Sequence, residues 1–315
     1  MATVGYHVAH EQLPPSRLLA HVQLAEAAGF DAAMCSDHLS PWSVRQGESG
    51  HAWVWLGAAM QATTVPFGVV TAPGQRYHPA VHAQAIASVA ELAPGRFWAA
   101  LGSGEHLNEH VTGDRWPSKP ERVDRLLECV EVIRRLLAGE EVSHDGLVKV
   151  DEARVWSRPA EPPPLYGAAV SPESAATAAT WADGLITVNQ PLDVLREVLA
   201  RYDGRGPRLL QIHVSWADAD DEALAIARDQ AAANTLPPPL PWDLKTPAHV
   251  DAATESVSDE DLREAVLVSA DLGQHAAWLA ERIDLGFDAV YVHHVGKDQV
   301  PFIDAFAAKV LPELR

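Results

Sequence analysis

Only two cysteines occur in 315 residues, Cys35 and Cys129, and neither has partners at metal-ligand spacing; they read as buried thiols in a reducing compartment, with no disulfide and no zinc. Long hydrophobic runs are missing as well. No stretch approaches the roughly 18 uninterrupted apolar residues that a membrane-spanning helix requires. Basic residues are few, 24 against 43 acidic for a formal net charge of -19, which removes the Lys/Arg-driven affinity that nucleic acid and anionic lipid demand. The opening Met-Ala-Thr-Val-Gly-Tyr-His has neither the basic nor the apolar region of a secretory signal. A cytoplasmic protein with no nucleic-acid or membrane partner is expected. Fifteen histidines are present, yet no His-Glu-x-x-His occurs, and neither a Walker loop nor a Gly-x-Gly-x-x-Gly fingerprint is found. No metal site is expected.

What is there is alternation. Apolar runs at Val4 to Val8, Asp31 to Cys35, Phe67 to Val70, Phe97 to Leu101, Leu165 to Ala169, Gly184 to Val188, Leu209 to Val214 and Ala289 to His293 read as eight strands. Helix-like segments follow at 16 to 28, 52 to 63, 78 to 93, 119 to 138, 172 to 181, 191 to 202, 219 to 233 and 274 to 285, with a last helix at 299 to 310. Strands apolar on both sides, each followed by a helix, predict a parallel (β/α)8 TIM barrel over residues 1 to 315 as one domain. A doubly wound open sheet is the alternative, set back by the missing glycine fingerprint after the first strand. Ala28-Gly-Phe-Asp-Ala32 and Leu285-Gly-Phe-Asp-Ala289 repeat one helix-to-strand junction at opposite ends of the chain. Two segments break the rhythm. Residues 139 to 164 suggest a hairpin insertion, and 234 to 262, with a proline cluster from Pro237 to Pro247, suggest either a mobile lid or, given Leu240, Trp242 and Leu244, a fixed belt packed on the barrel wall or at a subunit interface.

In a barrel, the loops after successive strands converge on one mouth. The first carries Glu11; the second Asp37, His38 and Trp42; the third Ala72-Pro-Gly-Gln-Arg-Tyr-His-Pro79; the fourth Gly102-Ser-Gly-Glu-His-Leu-Asn-Glu109. Four loops delivering ionisable and aromatic groups to one side favour an enzyme over a scaffold. On spacing alone, Asp37 also fits a helix cap beside a core histidine and a core tryptophan. Gly102-Ser-Gly-Glu105 fits either a phosphate cradle or a tight turn.

Ser36-Asp-His-Leu-Ser-Pro-Trp42, Arg76-Tyr-His-Pro79 with Ala83-Gln84, Pro94-Gly-Arg96 and Gly102 to Glu109 together resemble the bacterial luciferase-like flavin and deazaflavin superfamily, nearest to its deazaflavin-dependent glucose-6-phosphate dehydrogenase branch. The resemblance implies a cofactor at the C-terminal mouth of the barrel. It assigns His38 beside the reactive ring as acid, base or charge stabiliser, Glu105 as proton donor or acceptor, Trp42 against the substrate and Glu11 as a further active-site carboxylate. Cofactor contacts would come from Asp37, from Asn108, from a non-proline cis bond at Val69–Val70, and from Ala169, Val170 and Ser171 at the phosphate end. Two departures stand out. Pro191 takes the place of a lysine that holds the sugar phosphate, and Val170-Ser171 replaces a glycine pair around the cofactor phosphate. On these grounds FMN is expected, with coenzyme F420 as the alternative. The activity expected is hydride transfer to or from a small organic substrate, against a deazaflavin-dependent dehydrogenase, a flavin monooxygenase or a non-catalytic flavin barrel. A homodimer is expected.

Overall fold

A computed structural model describes residues 2–315. Eleven strands occur among them: β1 (Thr3–Val8), β2 (Ala32–Ser36), β3 (Phe67–Thr71), β4 (Phe97–Leu101), β5 (Val142–Asp145), β6 (Lys149–Ala153), β7 (Leu165–Ala168), β8 (Leu185–Val188), β9 (Arg208–Ser215), β10 (Leu267–Val268) and β11 (Ala289–His294). The parallel ladder runs β9-β11-β1-β2-β3-β4-β7-β8, and β8 pairs back onto β9 through Leu185–Arg208 to Val188–Gln211. The sheet is therefore a closed eight-stranded barrel with flanking helices, as its apolar runs predict. β10 takes over the edge of β9 at Val214 and Ser215, above the point where β8 stops.

The repeated Gly-Phe-Asp-Ala junction performs one task twice. Phe30 and Phe287 are buried. The Asp31 carboxylate accepts from the Val4 backbone N–H at 3.0 Å while the Asp31 N–H donates to the Val4 carbonyl at 2.9 Å. Asp288 does the same to Arg208, at 2.8 and 2.9 Å. Each aspartate thus satisfies the entering end of the neighbouring strand and fixes its register.

Side chains alternate along a strand, so every second residue fills the barrel. Trp98, Tyr166 and Tyr291 plug its middle, with ring centroids 5.3 and 5.8 Å apart. Two glycines make room for them. A Cβ on Gly68 would lie 1.9 Å from the Trp98 indole, and one on Gly5 2.3 Å from the Tyr291 ring. Two residues onward, about 6.6 Å nearer the mouth, β1 and β11 present His7 and His293, and β9 adds His213.

The insertion at 139 to 164 contains the antiparallel hairpin β5–β6. The segment 234 to 262 carries regular structure. It holds short helices Leu240–Asp243 and Pro247–Ala253 and the start of Asp259–Ala265. Pro247 sits in the first turn, where its missing N–H costs nothing, and Thr246 caps the helix by accepting from the His249 N–H. Among the described residues, no helix is long and apolar enough to cross a membrane.

Candidate active site

The loops after β1, β2 and β4 bring three predicted groups together. His38 Nδ1 lies 2.6 Å from Glu11 Oε1, and His38 Nε2 lies 3.7 Å from Glu105 Oε2. The three side chains are graded in exposure, Glu11 at 5%, His38 at 14% and Glu105 at 26%, so the imidazole stands between a buried carboxylate and one open to the mouth. Trp42 packs edge-on to His38 with centroids 5.6 Å apart.

Burial alone works against the charged imidazole, but the charge of Glu11 and its hydrogen bond, assisted by Glu105, push His38 up to about 9. Burial likewise works against the Glu11 anion, and the His38 charge and hydrogen bond overcome it and hold Glu11 near 2. At neutral pH the pair is an imidazolium and a carboxylate.

Asn108 locks the open side of this pair. Its Nδ2 donates to Glu105 Oε2 at 2.9 Å, while its Oδ1 accepts from the Leu39 and Ser40 backbone N–H groups at 2.9 and 3.1 Å. One amide therefore ties the loop carrying His38 to the carboxylate facing it.

Asp37 has a different surrounding. Its carboxylate accepts from Trp53 Nε1 (2.9 Å), Thr71 Oγ1 (2.9 Å), Tyr77 OH (3.3 Å) and Arg76 Nη1 (3.5 Å). Arg76 Nη2 also donates to the Asp37 carbonyl at 2.7 Å. With only 1% of that side chain exposed, Asp37 braces the β2 exit from below. Glu109 completes the brace by accepting from the Arg76 backbone N–H at 2.6 Å; burial raises its carboxyl above the usual range.

The remaining predicted residues lie on β3, between β2 and β4, and just beyond β7. Val69 points outward into the core between sheet and helices, whereas Val70 points into the barrel. The Val70 carbonyl accepts from the Asp37 N–H at 2.9 Å. The expected Val69–Val70 cis bond is corrected: Pro238–Pro239 is the one cis peptide among the described residues, and β3 keeps unbroken parallel register with β4 from Phe67 to Thr71. Ala169 is buried outward beside Ala175 and Ala178. Ser171 caps helix Pro172–Ala178 in a reciprocal box with Ser174. Its backbone is extended, φ -137° and ψ 158°, a conformation that does not require glycine.

Sequence reasoning missed the layer beneath. His7 stacks on His293 (4.4 Å) and His293 lies against His213 (4.9 Å). Burial lowers all three imidazoles, His7 to about 3 and His213 to about 4, so the floor of the mouth is polar yet uncharged. Strand alternation carried a signal for them, since His7, His213 and His293 each lie two residues beyond a barrel-facing position.

A luciferase-like monooxygenase family model matches residues 1–289. An F420-dependent hydroxymycolic acid dehydrogenase from Mycobacterium tuberculosis is 36% identical, covering 99% of this chain and 88% of its own. An F420-dependent glucose-6-phosphate dehydrogenase from Intrasporangium calvum is 35% identical over 100% of this chain and 99% of its own. Among solved structures, an F420-dependent secondary alcohol dehydrogenase in complex with an F420-acetone adduct superposes with a TM-score of 0.90 at 28% identity, covering 100% of this chain and 99% of that one. These relatives overturn the expectation of FMN. It rested on the lost glycine pair at Val170-Ser171, and the extended backbone of Ser171 shows that no glycine is required at that residue. The chain is an oxidoreductase, and it belongs to the luciferase-like monooxygenase family.

Proposed function

We propose that this protein is a coenzyme F420-dependent dehydrogenase acting on an uncharged secondary alcohol, or on the matching ketone in reverse. The observation that carries the reading is the Glu11–His38–Glu105 array at the mouth, in a chain whose full-length relatives are named as F420-dependent dehydrogenases.

The mouth suits a flat heteroaromatic ring. At the β4 and β7 exits the groups are small: a Cβ added to Gly102 would already meet the Ala168 methyl at 3.5 Å. Val70 and Asn108 would border the ring, and Val170 and Ser171 its phosphate-bearing arm. Bound there, the deazaflavin would supply the hydride chemistry at the substrate carbon. The protein handles the proton. As an alcohol is oxidised, the hydroxyl proton passes to Glu105, the carboxylate open to the mouth, while the His38 imidazolium donates a hydrogen bond to the oxygen on which charge develops. In reduction the same groups run backwards. Trp42 shields His38 from water and closes one side of the substrate space.

Pro191, standing where the resembling sugar-phosphate dehydrogenases carry a lysine, supports a substrate without phosphate, because a dianion there would lack its counter-charge. The buried free thiols Cys35 and Cys129 suit a reducing cytoplasm.

Calorimetric titration with coenzyme F420 and with FMN tests the cofactor. Bleaching of the oxidised F420 band on adding 2-propanol or longer secondary alcohols, and not on adding glucose 6-phosphate, tests the substrate. Absence of F420 binding, or turnover of glucose 6-phosphate alone, overturns the reading.

A further inference from the structure

Three glutamines from elements remote in sequence, Gln12, Gln46 and Gln230, are 2%, 6% and 6% exposed. Buried amides are costly unless bonded, and these bond to one another. Gln12 Nε2 donates to Gln230 Oε1 at 3.2 Å and to the Val295 carbonyl. Gln12 Oε1 faces His293 Nε2 at 3.0 Å. The Val295 carbonyl can only accept, which fixes the orientation of the Gln12 amide and places the His293 proton on Nε2. Gln46 Nε2 donates to the Gln230 carbonyl at 2.9 Å, while Gln46 Oε1 accepts from the Trp42 and Ser43 backbone N–H groups at 2.8 and 3.3 Å. The chain of amides begins one residue from Glu11 and ends on Trp42, so it joins the two groups that flank His38.

We propose that Gln12, Gln230 and Gln46 are positioning residues that set the Glu11 carboxylate and the Trp42 indole against His38. Among the described residues, the one side chain paired with the Glu11 carboxylate is His38. That carboxylate's other hydrogen bond is from its own backbone N–H, so its place follows from that backbone, which the Glu48 N–H holds at the Glu11 carbonyl (3.1 Å) and the neighbouring Gln12 amide pins to Val295, to His293 of β11 and to helix Asp220–Ala231. A drift of about 1 Å would take the 2.6 Å contact beyond hydrogen-bonding reach. His38 is also faced by Glu105, Arg76, His7 and His10. Of these, only His7 touches the glutamine network, by stacking on His293, and burial keeps it neutral. The consequence for turnover rests on the dehydrogenase reading; the geometry does not.

The test is an NMR titration of His38 in the cofactor-free protein, comparing wild type with Gln12→Met, which keeps the volume and removes both polar atoms. The His38 pKa is expected to fall by about 1 to 3 units, the weight of one close counter-charge. Turnover with F420 should drop on the order of 100-fold, as for a small displacement of a catalytic group, while F420 affinity changes little. If Gln12→Met does not fold, Gln12→Asn, which keeps a polar amide but shortens its reach to Val295, His293 and Gln230, is read in the same way. An unchanged His38 titration in a folded variant overturns the proposal. Because that titration needs no cofactor, a failed F420 assay leaves it standing, and turnover with an unmoved His38 sinks it alone.

Discussion

His38 and Glu11 meet at 2.6 Å although their loops leave different strands, β1 and β2. The ion pair joins a buried carboxylate to an imidazole partly open at the mouth. Two charges taken out of water are tolerated there only because each is the other's partner. Removing one should therefore act first on the titration of the survivor.

Glu11→Gln keeps the shape and removes the charge. Burial is then opposed by Glu105 alone, and His38 should titrate far below its wild-type value of about 9. The wild type keeps its imidazolium up to that pH; the variant should lose it before pH 8. At pH 8 turnover should fall by roughly 100-fold, the usual weight of a positioned acid or base, and by less at pH 6. Parallel profiles of kcat against pH for the two proteins would remove His38 from the rate-determining chemistry.

Buried neutral imidazoles, in the floor of the mouth and elsewhere in the core, make the fold sensitive to acid. His7, His10, His82, His213 and His294 are all lowered by burial, to between about 3 and about 4. Above pH 6.5 they are neutral folded or unfolded, and cost nothing. Below it the unfolded chain takes up protons that the folded one refuses, and each imidazole withdraws about 1.4 kcal/mol per pH unit. Two or three reaching pH 4 would account for roughly 7 to 10 kcal/mol, comparable with a whole domain's stability. The His38–Glu11 pair acts in the other direction, its histidine share waning as pH rises from 6.5 through about 9. Maximum stability is expected near neutrality, with a steep fall below pH 6 in thermal melts of the cofactor-free protein. Melting temperatures that stay level between pH 7 and 4.5 would mean that the layer is hydrated and protonates in place.

The barrel was legible because parallel strands are buried on both faces. Their apolar runs match the observed strands within a residue or two, and the twice-used Gly-Phe-Asp-Ala junction marks strand entry at Asp31 and Asp288. The mouth was legible for the same reason, since Glu11, His38, Trp42 and Glu105 all follow strand ends. What stayed hidden joins residues far apart in the chain. Gln12 meets Gln230 across 218 positions, and no local pattern announces such a pairing. Short helices between Leu240 and Ala265 escaped because prolines were weighed as breakers, whereas Pro247 occupies a first turn. FMN was inferred from two residues alone, and a helix start in extended conformation can present its amides with or without glycine.

Asp37 separates support from contact. Asp37→Asn would exchange a carboxylate fed by four side-chain donors for an amide and leave Arg76, only 10% exposed, with Glu109 as its remaining counter-charge. A loss of about 3 kcal/mol in urea unfolding of the cofactor-free protein is expected, at the lower end for a broken buried pair, with cofactor affinity of the folded protein nearly unchanged. The opposite outcome, full stability with weakened cofactor binding, would make Asp37 a ligand.

The segment after β9 is fastened across the mouth from two sides, and its fastening can be cut. Trp116 Nε1 donates to Asp243 at 3.0 Å beyond the β4 loop. On the β2 loop, Ser43 Oγ and the Val44 N–H donate to Asp251 at 2.6 and 3.0 Å. Helix Pro247–Ala253 has seven residues, too few to persist without tertiary contacts. Asp251 therefore holds that helix in place and at the same time restrains the loop carrying Trp42. Asp251→Ala should cost about 2 to 3 kcal/mol locally, the worth of a hydrogen bond to a charged group. Amide exchange of residues 247 to 253 should speed up by roughly 30- to 150-fold in the cofactor-free variant. Wild type should be protected there with or without cofactor, unlike a lid that orders only on binding. Protection that appears in wild type only after cofactor is added would restore the lid, and unchanged exchange in Asp251→Ala would show that the helix is held by its apolar contacts.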